Sequence, residues 1–447
     1  MRRERLNLSL EDKNNLQDKK FCLVDNNSLI AEEKVKVNFF LAIGLMFIVL
    51  AFVFNSPREI WIGYKKILTS SANLITDYIE LSNRGATFFN AGIMLLISLG
   101  MVKVSGGKIN GVIIAAIFIV TGFSFFGKNL FNTMPITLGV LLIARLEKLP
   151  FKEYLPQALF ATGLSPLVSE ITFNLGLPLW QGLIYGTLVG IFTGAIIPPM
   201  ATKFYSFHQG FNLYNVGFTA GIIGMIFMAI LRSMGVDVLP LTIISSGNNK
   251  GFSLVLYFVF ALILLLGLYA NRWSMKGYSS LLALSGRSGT DFTETSGLGL
   301  TLVNMALLGI ITTSYVLVIG GELNGPTIGG ILTVVGFGAY GKHIKNVMPI
   351  FLGVLIAKYF NIYDHYSTSS ILALLFGSTL APIAGYYGVL AGIIAGFIHM
   401  AITMNIGYLH GGMNLYNNGF SGGFIAAALV PIFDTIIRHK TARANEK

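Results

Sequence analysis

The stretch FGKNLFNTMPITLGVLLIA, residues 126–144, returns as YGKHIKNVMPIFLGVLIAK, residues 340–358, in a chain of 447 residues. The same offset of 214 residues relates TDYIELSN to TDFTETSG, which begin at Thr76 and Thr290. Several matches in the same order indicate an internal duplication. The sequence therefore predicts two tandem copies of one structural unit.

Composition predicts that lipid surrounds this unit. Hydrophobic residues make up 54% of the chain, charged residues only 11%, and the mean hydropathy is +0.70. A water-soluble protein needs more charge on its surface. Apolar runs such as 39–54 and 254–270 are long enough to cross a hydrocarbon core. We therefore expect an all-α polytopic membrane protein whose partner is the lipid bilayer.

The hydrophobic segments also predict how the copies are oriented. Roughly seven segments fall in each copy, which we place at residues 37–240 and 251–437, between tails at 1–36 and 438–447. An odd number of crossings gives the second copy the opposite orientation, an inverted repeat. The excess of Lys and Arg favours cytoplasmic termini in the plasma membrane and predicts no nucleic-acid partner.

Matched interruptions point to a site between the copies. Segments 134–146 and 347–357 are short, and each has a proline near its start. Proline removes a backbone donor, which a membrane tolerates only where protein or water surrounds it. Broken segments in both halves are typical of a transport site, and a kink packed by neighbouring helices is the alternative. The predicted broken-helix elements are Pro135, Gly139, Pro166, Pro349, Gly353 and Pro382.

A second repeated motif is polar. HQGFNLYNVGF (208–218) is repeated as HGGMNLYNNGF (410–420). Amides donate and accept hydrogen bonds, and tyrosine adds an aromatic face and a hydroxyl, which together suit a neutral polar solute. The alternative is that these residues cap and turn a helix start. The predicted substrate-binding residues are His208, Asn212, Tyr214, Asn215, His410, Asn414, Tyr416 and Asn417.

Acidic pairs precede a hydrophobic segment in each copy. Asp77 with Glu80, and Asp291 with Glu294, are three residues apart. Two carboxylates on one helical face can bind sodium or relay protons. The same spacing suits a helix N-cap with the glutamate reaching back, and we favour the cap.

These patterns predict a transporter or channel for a small, neutral polar solute. A sodium- or proton-coupled carrier that uses the acidic pairs is one alternative, and a membrane sensor or scaffold is another. Catalytic signatures such as a nucleophile elbow, a zinc-binding His pair or a P-loop are missing from the sequence, so we expect no enzyme and no cofactor. The single cysteine, Cys22, excludes an internal disulfide and a cysteine metal cluster. Assembly into a homo-oligomer is left open.

The doubled "MP-I-LGVL" and "H-G-NLYN-GF" blocks resemble an uncharacterised bacterial membrane family, a domain of unknown function present in two copies. That resemblance covers nearly the whole chain and implies no substrate. GFNLYNVGFTAG (210–221) and GMNLYNNGFSGG (412–423) are also similar, more distantly, to the G-x-x-G-[YF]-N-G-x-L-V-G element of urea transporters. The second resemblance implies two inverted halves and a pore for a neutral solute.

Overall fold

The computed structural model describes residues 26–238, 241–360, 364 and 366–445. Regular structure in these residues is helical. The helices of the first copy are α1 (Asn26–Phe54), α2 (Pro57–Leu68), α3 (Tyr78–Leu81), α4 (Arg84–Val104), α5 (Gly111–Phe123), α6 (Leu130–Leu146), α7 (Leu155–Ala161), α8 (Ser165–Phe173), α9 (Leu179–His208) and α10 (Asn215–Ser233).

The second copy repeats this order. Its helices are α11 (Asn249–Ala270), α12 (Tyr278–Leu281), α13 (Phe292–Thr295), α14 (Leu298–Val318), α15 (Gly325–Phe337), α16 (Ile344–Phe360), α17 (Thr368–Gly377), α18 (Ala381–Tyr387), α19 (Val389–Thr403), α20 (Gly407–His410) and α21 (Asn417–Asn445). Within the described residues, eight helices are long and apolar enough to cross a membrane, four in each copy. The chain is therefore an all-α, multi-pass membrane protein built as two copies.

The predicted boundaries shift at both ends. Helix α1 begins at Asn26, inside the predicted N-terminal tail, and residues 1–25 of that tail, including Cys22, lie outside the described residues. Helix α21 continues to Asn445, through most of the predicted C-terminal tail.

Short, buried helices form the centre of the molecule. Helices α5 and α15 have 13 residues each, about 20 Å, which is less than the roughly 30 Å of a hydrocarbon core. They pack side by side and run antiparallel: a Cβ on Gly122 would lie 2.9 Å from the Gly329 carbonyl oxygen, and one on Gly336 would lie 3.1 Å from that of Ala115. Glycine permits this close approach of two backbones.

Helices α10 and α21 meet in the same reciprocal way. A Cβ on Gly217 would lie 3.0 Å from the Tyr416 side chain, and one on Gly419 would lie 3.0 Å from that of Tyr214. The residue near the start of each helix thus contacts the start of the other. The starts of α10 and α21 therefore pack against each other, whereas α5 and α15 are the equivalent helices that run antiparallel.

Two of the predicted interruptions are present and two are not. Short 3-10 turns at Thr162–Leu164 and Ser378–Leu380 break a helix in each copy, directly before Pro166 and Pro382. By contrast, Pro135 and Pro349 lie inside the continuous helices α6 and α16. A proline inside a helix removes one backbone hydrogen bond and crowds the carbonyl group of the preceding turn, and tight packing keeps each helix continuous despite this cost.

That packing explains Gly139 and Gly353. A Cβ on Gly139 would lie 2.0 Å from the Ile191 carbonyl oxygen in α9, and one on Gly353 would lie 2.1 Å from that of Ile393 in α19. These glycines let α6 cross α9, and α16 cross α19, at backbone contact. The prediction that they mark a break in the helix is therefore wrong.

Candidate functional site

Each copy places a lysine beside the central tyrosine of the other copy. Lys342 Nζ donates a hydrogen bond to the Tyr214 hydroxyl at 2.5 Å and to Ser378 Oγ at 2.7 Å. Lys128 Nζ lies 5.8 Å from the centre of the Tyr416 ring. Both lysines are fully buried. The contacts are reciprocal because the two copies are related by the same axis that relates their helices.

Two asparagines fix the loops that carry the lysines. Each loop follows a short central helix, α5 or α15, and precedes α6 or α16. Asn90 Nδ2 donates to the Lys128 carbonyl oxygen at 2.9 Å, and Asn304 Nδ2 donates to that of Lys342 at 2.8 Å. Both asparagines are fully buried. The lysine backbones are thus held from a neighbouring helix, α4 or α14, which leaves the side chains to reach the tyrosines.

The NLYN turns, residues 212–215 and 414–417, bring the tyrosines together. The Asn212 and Asn414 side chains accept from the backbone N–H of Tyr214 and Tyr416, at 3.2 and 3.0 Å. Asn212 Nδ2 also donates to the Gly419 carbonyl oxygen at 2.9 Å. The tyrosine rings lie 6.4 Å apart. The first asparagine of each motif therefore shapes the turn, and the tyrosine is the residue that faces the other copy.

The helix breaks support these turns across the copies. The Leu213 N–H donates to the Thr379 carbonyl oxygen at 3.1 Å, and the Leu415 N–H donates to that of Gly163, also at 3.1 Å. A break exposes carbonyl groups that a continuous helix would use internally. A Cβ on Gly163 would lie 1.8 Å from the Tyr416 ring, so this position must be glycine for the ring to fit.

The remaining motif residues differ between the copies. His208 Nε2 lies 3.0 Å from Asn215 Oδ1, which ties the end of α9 to the start of α10. In the second copy the His410 ring packs against the Phe420 ring at 4.7 Å, and Asn417 lines a cavity. The eight predicted substrate-binding residues thus cluster at the contact between the copies, but Asn212, Asn215 and His208 are engaged with the protein itself.

Two cavities of unequal size lie beside the NLYN turns. The large cavity has a volume of about 330 Å³ and is lined by both Tyr214 and Tyr416. The small cavity has a volume of about 190 Å³; Phe126, Phe376 and Leu415 are among its lining residues, and neither tyrosine is. Equivalent positions of the two copies line them: Leu213 and Leu415, Asn215 and Asn417, Tyr340 and Phe126. They are therefore two versions of one cavity, related by the duplication.

The first-copy lysine is the less satisfied one. Among the described residues, Lys128 Nζ and the Tyr416 hydroxyl have no hydrogen-bond partner. The ion pairs found in that part of the chain are Lys36–Glu32 and Arg232–Asp237, so neither Lys128 nor Lys342 faces a carboxylate in an ion pair there. A buried lysine without a counter-charge is costly in a membrane, which makes this pair a candidate functional site. Sequence reasoning missed both lysines, although they occupy the same position in the duplicated stretch.

The acidic pairs are not brought together as sites. Asp77 and Asp291 cap α3 and α13, accepting from backbone N–H groups at 2.9 and 2.8 Å, whereas Glu80 and Glu294 are exposed. Asp291 also accepts from the N–H of Gly111, the first residue of α5 in the other copy, at 2.7 Å. Asp77 lies equally close to the first residue of α15. Each aspartate therefore holds a central helix of the other copy.

Comparison with known proteins gives a family and no function. A family model described as a protein of unknown function, DUF1576, matches residues 56–233 and again residues 270–435. The two matched ranges fall on the two copies. No curated protein and no solved structure matches the chain. The resemblance to urea transporters therefore stays a prediction.

Proposed function

The chain belongs to the DUF1576 family of proteins of unknown function, and we propose that it transports a small polar solute across the membrane. The observation that carries this proposal is a pair of cavities built from equivalent residues of the two copies, of which the larger is lined by Tyr214 and Tyr416. A transport path needs access from both sides of the membrane to one site. Two cavities built from equivalent residues provide that access when the copies are inverted.

The antiparallel course of equivalent helices supports the inverted orientation. Helices α5 and α15 run in opposite directions past one another. Copies related by an axis along the membrane normal would keep equivalent helices parallel. In our proposal the axis lies in the membrane plane, and both termini are cytoplasmic at the plasma membrane.

The unequal cavities favour a carrier over an open channel. Both tyrosines line the large cavity, whereas neither lines the small one. In a carrier with alternating access, one side is open while the equivalent side is closed. Opening the small cavity while closing the large one would exchange the roles of the two copies. The helix breaks at Thr162–Leu164 and Ser378–Leu380 lie where such a movement needs a hinge.

The test is solute flux into liposomes that contain the purified protein. Stopped-flow light scattering would follow entry of urea, glycerol, acetamide and small carboxylates, with and without a sodium or proton gradient. We expect Tyr416→Phe to slow the transported solute at least tenfold, the loss of roughly 1.4 kcal/mol of transition-state binding. The Tyr416 hydroxyl has no partner among the described residues, so its removal should leave the fold unchanged.

Tyr359→Phe is the matched control, because Tyr359 is 82% exposed on α16. This control should transport at the wild-type rate. Flux that is equal in wild type and Tyr416→Phe would place the path elsewhere. Silence for every solute would favour the sensor or scaffold alternative. Dependence on an ion gradient would favour a coupled carrier, although Asp77 and Asp291 are occupied as caps.

A further inference from the structure

The solute itself can be inferred from the polar groups that the site offers. Two fully buried lysines lie beside the central tyrosines, and neither forms an ion pair within the described residues. Transferring an ammonium group out of water without a counter-charge is unfavourable. The group that would offset this cost at the site is a negative charge on the solute.

Lys128 and Tyr416 bring unpartnered hydrogen-bond donors to the site. An ammonium carries three donors and no acceptor. Lys342 Nζ uses two of its donors on Tyr214 and Ser378, whereas Lys128 Nζ uses none within the described residues. The unpartnered Tyr416 hydroxyl adds another donor beside Lys128. Together they match a carboxylate, whose oxygens accept from more than one donor.

In the first copy the motif amides are occupied by the protein, whereas Asn414 Nδ2 and Asn417 Oδ1 of the second copy have no partner among the described residues. Asn212 is bonded to backbone groups of both copies, and Asn215 binds His208 and the Ala201 carbonyl oxygen. Their donors and acceptors are therefore occupied. The prediction of a neutral solute assumed that these amides were free to bind it.

Aromatic side chains determine the rest of the solute. The Phe337 ring lies 4.9 Å from Tyr214, and the Phe123 ring lies 5.1 Å from Tyr416. The Phe376 ring lies 5.6 Å from Phe123. A strongly hydrated inorganic anion would lose its water here without replacement. Of these rings, Phe337, Tyr214 and Tyr416 line the cavity of about 330 Å³, where an apolar body can pack against them.

We propose that the site binds a small monocarboxylate with an apolar body, its carboxylate held by Lys128 Nζ and the Tyr416 hydroxyl. This inference rests on the proposed transport function for its site and extends it to a substrate class. The aromatic rings around the two tyrosines hold the body of the solute.

Binding to the full chain in lipid nanodiscs tests this inference separately from transport. Calorimetry at pH 7.5 would compare sodium benzoate with benzamide, and sodium propionate with propionamide, because each pair has the same shape and differs in charge. We expect the carboxylate of at least one pair to bind at least tenfold more tightly than its amide. Lys128→Met should abolish this preference. It should not lower the melting temperature, because it removes an unpaired buried charge.

Lys345→Met is the control, because Lys345 is exposed at the start of α16 and should leave binding unchanged. Equal affinity for carboxylate and amide, unaltered carboxylate binding in Lys128→Met, or no binding of any probe would overturn the inference. Inorganic phosphate or chloride binding as tightly as benzoate would overturn the monocarboxylate class. Carboxylate binding without flux would contradict the transport proposal and support the inferred ligand class. Flux of amides alone would support transport and contradict the inferred ligand class.

Discussion

Buried polar side chains in this protein fall into two groups with different tasks. Asn90, Asn304 and Asn212 donate to carbonyl oxygens and hold loops in place. Lys128 and Tyr416 are equally buried but have polar atoms without partners in the described part of the chain. Buried polar atoms normally find a partner, so those that lack one indicate where a ligand completes the structure.

Equivalent asparagines therefore respond differently to the same substitution. We expect Asn215→Leu to lower the free energy of unfolding by roughly 1–2 kcal/mol, because it removes contacts with His208 and the Ala201 carbonyl oxygen. Asn417→Leu should cost less, since Asn417 Oδ1 has no partner among the described residues. Unfolding in SDS, followed by circular dichroism, measures both. Equal losses of unfolding free energy in the two variants would contradict the expected difference between Asn215 and Asn417.

Helix ends connect the two copies at the scale of elements. The N-terminus of α5 receives Asp291 from the second copy, and the break before Pro382 supports the Leu213 N–H of the first. A helix start has N–H groups without internal partners, and a break frees carbonyl groups. In a membrane both must be satisfied by protein. Each copy thus completes the helix ends of the other.

The expected effect of removing Asp291 follows from its role as a helix cap rather than from ion coupling. Asp291→Ala should lower the free energy of unfolding by about 1 kcal/mol or more, because it deprives α13 and α5 of an acceptor. Glu294→Ala, three residues away and exposed, should leave stability within about 0.5 kcal/mol. Thermal unfolding in detergent compares the two variants. An Asp291→Ala protein with unchanged stability and lost gradient dependence would instead support the ion-coupling hypothesis.

At the scale of the whole molecule, one axis relates the helices, the lysine–tyrosine contacts and the cavities. The two copies differ in the hydrogen bonds of their buried lysines. Ser378 binds Lys342, whereas Lys128 has no such partner among the described residues. A symmetric pair of sites would bind a solute equally from both sides. The difference between the two lysine environments favours occupation of one of the two sites at a time.

The axis can be tested by the sides on which equivalent residues emerge. Val104 and Val318 end the equivalent helices α4 and α14 and are 91% and 85% exposed. In a Cys22→Ser background, Val104→Cys and Val318→Cys should react with a membrane-impermeant maleimide from opposite sides of sealed cells. Labelling after permeabilisation controls for reactivity. Reaction of both from the same side would exclude the inverted repeat.

Much of the fold is readable from the chain because its signals are local. Apolar length predicted a multi-pass membrane protein, although eight helices among the described residues are long enough to cross, fewer than the roughly seven predicted for each copy. The constant offset predicted the two copies. Pro166 and Pro382 marked the helix breaks correctly, because each starts a new helix after a 3-10 turn. The same reasoning was wrong at Pro135 and Pro349, because helix crossing at close range keeps those segments continuous.

The sequence by itself determined that this is a duplicated, all-helical membrane protein with matched polar turns, since composition and periodicity act over a few residues at a time. Only the tertiary structure decided which of those polar residues meet. Lys342 and Tyr214 lie 128 residues apart in the chain and join at 2.5 Å. Such contacts depend on the orientation of the second copy relative to the first. Helix propensities and caps are local properties, so they contain no information about that orientation.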